Sequence, residues 1–263
     1  MNANGEPIVD VKNLTVGYGD HVVLRDINFQ VRSGEVFIIV GRSGSGKSTL
    51  LKHLIGLYPP ISGEVWIEGK NLITADRKER QHLLRQFGVL YQSGALFGSM
   101  TVLENVRLPL DEFTDLPDLA RDLVALSKLK LVGLSGAEHS MPSELSGGMQ
   151  KRAAMARAMA MDPRILFLDE PSVGLDPITS AGLDQLIKEL SGYFGITFVI
   201  VTHELDSIYA VGSRVIMVDD ETQTIIAEGS PAELRDKSAD PRVRSFFHRK
   251  STPDQLAGET VPA

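Results

Sequence analysis

Short runs of consecutive apolar residues alternate with amphipathic stretches along most of this chain. The runs have apolar residues on both faces, as a strand buried inside a parallel sheet requires. The stretches between them place apolar residues at the spacing of one helix face. The runs lie at 36–40, 87–91, 165–168 and 196–201, and the clearest helical stretches at 48–56 and 177–194. This order predicts an α/β fold built around a parallel sheet.

Two regions depart from the alternating pattern. Segments 8–16 and 22–31 alternate apolar and polar residues, and with 65–67 they predict an antiparallel β subdomain. From 92 onward the pattern becomes helical, which predicts a helical subdomain at about 92–161 inserted in the core. Helices are predicted at 77–86, 101–108, 116–131, 149–161, 231–235 and 241–248, and strands at 214–218 and 222–227. We expect one domain over 8–248 and a flexible C-terminal tail over 249–263.

A glycine-rich segment follows the run at 36–40. It reads Gly-Arg-Ser-Gly-Ser-Gly-Lys-Ser-Thr and fits the pattern G-x-x-x-x-G-K-[ST] between a strand and a helix. Such a loop turns backbone N–H groups toward a phosphate, and the helix N-terminus adds further donors. We expect Lys47 to reach the β- and γ-phosphates of ATP and the Ser48 hydroxyl to ligate Mg²⁺. The predicted phosphate-binding residues are Gly41, Arg42, Ser43, Gly44, Ser45, Gly46, Lys47, Ser48 and Thr49. Arg42 is expected to contribute only its backbone, and a tight turn with an exposed lysine is the alternative.

Acidic and histidine side chains follow two of the buried runs. Asp169 and Glu170 come directly after 165–168, where open α/β sheets bind ligands. We expect Asp169 to hold Mg²⁺ and Glu170 to polarise an attacking water as a catalytic base. A pair of N-capping residues before a helix is the alternative. His203 follows 196–201, where it can reach the γ-phosphate or the water, and a surface or capping histidine is the alternative.

With these residues in place, the chain resembles the ATP-binding cassette (ABC) family from about residue 9 to residue 228. The resemblance extends to Leu-Ser-Gly-Gly-Met-Gln at 145–150, to Gln92, to Asp176 and to Tyr18. It implies a P-loop NTPase cassette with a RecA-like core, which hydrolyses ATP. It also implies a homodimer in which two cassettes enclose two ATP molecules head to tail.

The resemblance assigns roles to these additional residues. Ser146, Gly147 and Gly148 open a predicted helix and would donate to the γ-phosphate of the partner's ATP, although an ordinary serine-capped helix start is the alternative. Tyr18 would stack on adenine, or else be a core aromatic residue at a strand end. Gln92 would contact Mg²⁺ and link the ATP site to a membrane partner. Asp176 would couple the two ATP sites.

Composition limits the remaining classes of function. The 263 residues, 43% of them hydrophobic, suit one cassette with a sizeable core, and no second phosphate loop occurs. A second ATP site is therefore expected from another chain. The net charge of −7 disfavours general nucleic-acid binding, and the absence of cysteine excludes disulfides and thiolate metal sites.

No apolar run approaches the ~20 residues that span a bilayer, and 1–7 lacks a signal-peptide core. We expect membrane contact only through partners.

Three segments resemble the ATPases of Mla-type phospholipid transporters, within the wider Mce group. The segments are 92–102, 139–145 and 240–247. The resemblance implies phospholipid transport between the inner and outer membranes, which maintains outer-membrane lipid asymmetry. It implies an MlaE-type permease, an MCE-domain lipid-binding protein and a STAS-domain subunit, with this chain on the cytoplasmic face of the inner membrane. The alternatives are an amino-acid or other small-solute importer ATPase, a soluble ABC protein acting on ribosomes or DNA, and a regulatory module without turnover.

Two apolar segments are candidates for contact with these partners. Ala95, Leu96 and Phe97 are expected to form a groove for a short permease helix, with packing inside the helical subdomain as the alternative. Leu96→Asp is then expected to uncouple transport while ATP binding persists. The C-terminal segment is expected to contact the neighbouring ATPase or the STAS subunit, or else to fold on its own domain. Its residues are Arg242, Val243, Arg244, Phe246, Phe247 and Arg249.

Overall fold

The computed structural model describes residues 7–248, which form two β-sheets and nine α-helices. The strands are β1 (Val9–Tyr18), β2 (His21–Val31), β3 (Val36–Val40), β4 (Ser62–Ile67), β5 (Lys70–Asn71), β6 (Phe87–Leu90), β7 (Ile165–Asp169), β8 (Thr197–Val201), β9 (Arg214–Asp219) and β10 (Thr224–Gly229). The α-helices are α1 (Lys47–Leu54), α2 (Arg77–Leu84), α3 (Val102–Phe113), α4 (Asp118–Leu131), α5 (Gly147–Ala158), α6 (Pro177–Phe194), α7 (Leu205–Val211), α8 (Pro231–Lys237) and α9 (Pro241–Phe247). A 3₁₀ helix spans Pro142–Glu144. The predicted mixed α/β cassette with antiparallel and helical parts is confirmed.

The larger sheet carries the order β10-β9-β3-β8-β7-β6, in which all neighbours except β10 and β9 are parallel. Both of its faces are covered, as the continuous apolar runs predict. In β3, Val36, Ile38 and Val40 pack into the core on one face, and Phe37 and Ile39 into the core on the other. The parallel strands end at a common edge, so the residues that follow them come together there.

The smaller sheet is antiparallel, with the order β2-β1-β4-β5. Its apolar side chains share one core with α1 and with one face of the larger sheet. Leu14, Leu24 and Val65 are fully buried in this core. The sheet thereby covers α1 and brings the end of β1 to the same edge as the loop before α1.

The helical subdomain contains α3, α4 and α5, which pack on one another. Thr101 and Glu104 form a reciprocal capping box at the start of α3. The predicted end of this helix at 108 is wrong, because α3 continues through Pro109 to Phe113. Proline in a helix removes one backbone donor, and here α3 is buried on both sides of Pro109, by Val106 in the core and by Leu110 after the proline.

The C-terminal part of the described chain packs on the larger sheet. Helix α7, which was not predicted, follows β8, and α8 and α9 follow β10. Within residues 7–248, no helix has the length and apolar character needed to cross a membrane. The predicted tail at 249–263 lies outside the described residues.

Candidate active site

A cavity of about 930 Å³ opens at the edge where the parallel strands end. It brings together residues from the loop before α1, from β1, from the segment after β6 and from the ends of β7 and β8. Its lining residues are Tyr18, His21, Val23, Gly41, Arg42, Ser43, Gly44, Gly46, Lys47, Ser48, Thr49, Gln92, Glu170, His203 and Phe246. Two further predicted residues, Ser45 and Asp169, are buried beside this lining. Most of the residues predicted from four separate segments therefore meet at one site.

The loop before α1 has the geometry of an anion site. Gly46 adopts a left-handed φ of 89°, and a Cβ atom there would lie 2.6 Å from Cγ1 of Val23. A larger residue therefore fits neither the backbone conformation nor the space. No side chain caps α1, so its first N–H groups are free of capping contacts at the cavity. These donors and the helix dipole favour a bound phosphate.

Lys47 is buried at the bottom of this loop, with 7% of its surface exposed. Its Nζ atom donates hydrogen bonds to the backbone oxygens of Gly41 at 3.0 Å and Arg42 at 2.8 Å. Burial lowers the pKa of Lys47, and the nearby charges of Glu170 and Asp169 oppose that shift. The alternative of a turn with an exposed lysine is therefore wrong. The ammonium group is held beside the donors that would surround a phosphate.

Oxygen ligands suited to a hard cation lie next to Lys47. The hydroxyl of Ser48 donates to Oδ1 of Asp169 at 2.8 Å, and the exposed Gln92 lines the same cavity. Burial raises the pKa of Asp169, while the Ser48 hydrogen bond lowers it. Residues 7–248 contain no group of three or more His, Cys, Asp or Glu side chains arranged for a metal. A mixed set of hydroxyl, carboxylate and amide oxygens fits Mg²⁺, which takes few protein ligands and completes its shell with water and phosphate.

Glu170 and His203 form a pair at the edge of the cavity. Nδ1 of His203 lies 2.8 Å from Oε1 of Glu170, although the two residues follow different strands. Oε2 of Glu170 is buried and makes no hydrogen bond within the described part of the chain. Glu170 also has a left-handed φ of 47°, which costs a non-glycine residue about 1–3 kcal/mol. Its backbone N–H is fixed by a 2.8 Å hydrogen bond to the oxygen of Val201.

The N-capping alternative for Asp169 and Glu170 is wrong. The next helix, α6, is capped instead by Asp176, whose Oδ1 accepts from the N–H groups of Ile178 and Thr179 at 3.1 Å each. The hydrogen bonds from Thr179, its hydroxyl first, lower the pKa of Asp176. Asp176 thus has a clear structural role within this chain. Its predicted role in coupling two ATP sites stays a prediction.

Residues 146–148 do not line the cavity of their own chain. Ser146 caps α5 by accepting from the N–H of Met149 at 3.3 Å, and Ser146 and Gly147 are exposed. Gly148 is buried, and a Cβ atom there would lie 2.2 Å from Cγ2 of Thr179. The glycine therefore lets the start of α5 pack tightly against the start of α6. Ser146 and Gly147 thus expose a helix start, of the kind that can bind an anion, with no phosphate loop of their own chain beside it.

Tyr18 lies at the rim of the cavity with 45% of its surface exposed. Its hydroxyl lies 3.3 Å from Oγ1 of Thr49, and its ring meets the edge of Tyr58 at a centroid distance of 5.5 Å. The alternative of a core aromatic residue is therefore wrong. Stacking of adenine on Tyr18 stays a prediction, and the exposed ring is available for it.

A second, apolar groove of about 480 Å³ lies between the larger sheet and the helical subdomain. Ala95 and Phe97 line it as predicted, together with Leu108 and Phe113 of α3. Leu96 does not line the groove, and its side chain packs against the main core instead. The prediction for Leu96 is therefore wrong. The side chains of Ala95 and Phe97 face the groove, whereas that of Leu96 between them faces the core.

The C-terminal helix α9 contributes a residue to the cavity that the sequence did not assign there. Phe246 lines the cavity, while Val243 and Phe247 are buried in the core of their own domain. The predicted partner contact is therefore wrong for Val243 and Phe247. His21 and Val23 also line the cavity without having been predicted, because no motif identifies positions in β2 that face α1.

Comparison with known families agrees with this geometry. A family model described as "ABC transporter" matches residues 24–173. The intermembrane phospholipid transport system ATP-binding protein MlaF of Haemophilus influenzae is 39% identical over 251 residues, which cover 95% of this chain and 93% of that protein. MlaF of Escherichia coli K12 is 39% identical over 255 residues, covering 97% and 91% of the two chains. A probable ribonucleotide transport ATP-binding protein, mkl, of Mycobacterium leprae is 39% identical over 240 residues, covering 91% of this chain and 68% of that protein.

Solved structures give the same result. A dimeric post-hydrolysis state of the ATP-binding cassette MJ0796 bound to ADP and Pi has a TM-score of 0.75 and 35% identity, covering 84% of this chain and 98% of that one. CbiO1 of Clostridium perfringens, part of the ABC transporter complex cbiONQ, has a TM-score of 0.80 and 30% identity, covering 88% and 92%. The chain therefore belongs to the ABC transporter family and is an ATP-binding ABC ATPase.

Proposed function

We propose that this ABC ATPase drives phospholipid transport between the inner and outer membranes, maintaining the lipid asymmetry of the outer membrane. It works as a homodimer that powers a separate permease. The observation that carries the catalytic part is the Glu170–His203 pair, with Oε2 of Glu170 left free beside the phosphate loop. An intact base at this position disfavours a regulatory module without turnover.

In this mechanism the phosphate loop and Lys47 bind the β- and γ-phosphates of ATP. Ser48, Gln92 and Asp169 hold Mg²⁺, which supplies positive charge beside the phosphate oxygens. Glu170 orients and polarises the attacking water through Oε2, and His203 holds the carboxylate in place through Oε1. The transition state for phosphoryl transfer needs charge stabilisation and alignment. These fixed groups supply both, so catalysis requires no covalent intermediate with the protein.

The second half of each ATP site comes from the partner subunit. Residues 146–148 form a helix start at which Ser146 and Gly147 are exposed, and all three lie outside the cavity of their own chain. A two-fold head-to-tail dimer places this helix start of one chain against the phosphate loop of the other, which completes two identical sites. The dimeric state of MJ0796 supports this arrangement. ATP binding then favours the closed dimer, and hydrolysis reopens it.

Phospholipid is the proposed cargo because the phospholipid transport proteins MlaF match this chain over nearly their whole length. Both MlaF relatives match over more than nine tenths of their own length, whereas this chain spans 68% of mkl at the same identity. The name of mkl refers to ribonucleotide transport, so a polar solute is the second candidate cargo.

The proposed partners follow from this assignment. They are an MlaE-type permease, an MCE-domain lipid-binding protein and a STAS-domain subunit. The groove lined by Ala95 and Phe97 takes a short amphipathic helix of the permease, because it is apolar and lies beside Gln92 of the ATP site. Through this contact the ATPase lies at the cytoplasmic face of the inner membrane.

Co-purification from native membranes tests the cargo and the partners together. The chain is tagged, extracted in mild detergent, and its bound proteins and lipids are identified. The proposal predicts a permease with MCE-domain and STAS-domain subunits and bound phospholipid. A permease accompanied by a periplasmic solute-binding protein would overturn the lipid assignment and leave the ATPase intact.

A further inference from the structure

Helix α5 carries a buried lysine that touches two functional segments at once. Nζ of Lys151 donates hydrogen bonds to the backbone oxygen of Gln92 and to that of Glu170, the latter at 3.3 Å. Only 7% of Lys151 is exposed. The contact joins the segment after β6 to the backbone of Glu170, the residue that follows β7. None of the roles assigned above involves this residue.

The contact with Glu170 bears on the geometry of the catalytic base. The left-handed backbone of Glu170 is held from one side by the oxygen of Val201, which accepts its N–H at 2.8 Å. Lys151 holds the other side by donating to its carbonyl oxygen. These two hydrogen bonds fix the backbone from which the Glu170 side chain reaches His203. Without the lysine, the Glu170 carbonyl keeps only a longer hydrogen bond from the N–H of Val173, at 3.4 Å, and a strained residue loses one of its restraints.

A second cation on the same helix holds the neighbouring residues. The guanidinium of Arg157 donates to the oxygens of Ala95 at 2.8 Å and Gly94 at 2.9 Å. Both acceptor residues have a left-handed φ, 49° for Ala95 and 72° for Gly94. Lys151 and Arg157 of helix α5 therefore donate hydrogen bonds to three backbone oxygens of the segment after β6, those of Gln92, Gly94 and Ala95. The same helix begins at Gly147, directly after its capping residue Ser146, in the segment 146–148.

Burial of Lys151 and the carboxylates near it shift its pKa in opposite directions. The carboxylates of Asp169 and Glu170 raise its pKa, and burial, the larger effect, lowers it. The side chain also offers three N–H donors, and a buried carbonyl oxygen without a donor is unfavourable. An apolar side chain of similar length would fill the same space, remove the donor to the Gln92 carbonyl oxygen and leave the Glu170 carbonyl oxygen with only the N–H of Val173.

We propose that Lys151 is a positioning residue. By its hydrogen bonds it holds the backbones of Gln92 and Glu170 against helix α5, so that the catalytic carboxylate moves as one unit with the apolar groove lined by Ala95 and Phe97. Its link to Glu170 governs ATP hydrolysis in the ATPase itself. Its link to Gln92 transmits motion between the groove and the ATP site, and this part rests on the permease contact proposed above.

Three variants of the full-length ATPase separate positioning from stability. Lys151→Met removes the donors and keeps an apolar side chain of similar length. Lys151→Gln keeps two N–H donors without the charge. Arg152→Met is the matched control, because Arg152 lies next in α5 and donates to the backbone oxygens of Val132 at 2.9 Å and Gly182 at 3.0 Å, away from the cavity. For each variant, kcat and KM for ATP and the Tm are measured.

Lys151→Met is expected to lower kcat about tenfold or more while KM changes less than about twofold, because binding groups are untouched. Lys151→Gln is expected to recover most of that loss. Arg152→Met is expected to lower the Tm and leave kcat within about twofold. The proposal is overturned if Lys151→Met keeps the wild-type kcat, or if kcat follows the Tm equally in all variants. If Lys151→Met fails to fold, Lys151→Leu, which also lacks the donors, takes its place: a loss of kcat at unchanged KM in that folded variant supports positioning, and a wild-type kcat rejects it.

The coupling part has its own readout in the membrane complex. The ATPase rate of each variant is measured alone and with the co-purified permease. Lys151→Met is expected to reduce the ratio of the two rates, whereas Arg152→Met is expected to retain it. An unchanged ratio in Lys151→Met would overturn the coupling role alone. If the wild-type chain binds no permease, the proposed function fails, while the kcat test of the isolated ATPase remains valid.

Discussion

Nδ1 of His203 lies 2.8 Å from Oε1 of Glu170, a residue that lines the cavity, while Oε2 is buried and makes no hydrogen bond within the described part of the chain. The histidine is the exposed member of the pair, with 55% of its side chain exposed against 10% for the glutamate. The exposed ring can therefore respond to the nucleotide and to the partner subunit, while the buried carboxylate stays fixed.

Glu170→Gln is expected to abolish most turnover and preserve ATP binding. The amide keeps the shape of the side chain and loses the basicity that polarises water, so kcat should fall about 10²–10⁴-fold. Phosphate release gives kcat, and equilibrium binding of a fluorescent ATP analogue gives Kd. ATP should also accumulate closed dimers, visible by size-exclusion chromatography. Hydrolysis near the wild-type rate would show that another group activates the water.

Lys47→Ala is expected to weaken nucleotide binding itself. It removes a charged donor from a buried position, so the Kd for ATP should rise about 10–100-fold. Lys70→Ala is the control, because Lys70 forms only an exposed ion pair with Glu79. An equal change of Kd in both variants would mean that general charge, and not the loop geometry, governs binding.

Phe97→Asp is expected to disrupt the permease contact without unfolding the ATPase. Phe97 is 50% exposed in the groove, so the substitution should change the free energy of unfolding by no more than about 0.5 kcal/mol. Co-purification with the permease should fall about tenfold, which corresponds to about 1.4 kcal/mol of binding energy. The matched variant Leu96→Asp places a charge against the main core and should cost about 2 kcal/mol or more in stability. Unchanged permease binding by Phe97→Asp would exclude the groove as the docking site.

Asp184→Asn is expected to stabilise the protein at neutral pH. Burial raises the pKa of Asp184, while a 3.0 Å hydrogen bond from Ser207 opposes the shift. A raised folded-state pKa means that the carboxylate is unfavourable in the fold once the pH rises through that pKa. Asparagine keeps the acceptor for Ser207 without the charge, so the gain at pH 8 should be about 1 kcal/mol. Urea unfolding at several pH values measures it, and the gain should shrink toward acidic pH, where Asp184 is protonated. A gain independent of pH would exclude ionisation as the cause.

The sequence predicted the site residues because their chemistry depends on local order along the chain. Lys47 and Ser48 follow a strand and open a helix, and Asp169 and Glu170 end a strand, so their positions follow from the elements alone. Lys151 could not be found in this way. Its role depends on two backbone oxygens of other segments, and no pattern along α5 records which segments lie beneath it.

Two further failures have related causes. Leu96 and Phe97 are adjacent apolar residues, and only the backbone path of the loop decides that the first packs inward and the second faces the groove. Pro109 predicts a helix end, but the packing of α3 on the core outweighs the loss of one hydrogen bond. Tertiary contacts decided both cases.

A mixed dimer of two inactive variants tests the central claim that each ATP site combines the phosphate loop of one chain with residues 146–148 of the other. One chain carries Lys47→Ala and the other Gly147→Asp, which adds a negative charge facing the partner's phosphate. A Cβ atom at Gly147 meets only Cδ2 of Leu175, at 3.6 Å, so the substitution fits the fold.

The two variants are co-expressed with different tags, and the mixed dimer is purified through both tags. Its phosphate release is compared with that of each parent homodimer. Head-to-tail assembly restores one complete site in the mixed dimer, so its rate should recover to as much as about half that of the wild type. A mixed dimer as inactive as both parents, while it remains folded and dimeric, would contradict the shared-site mechanism.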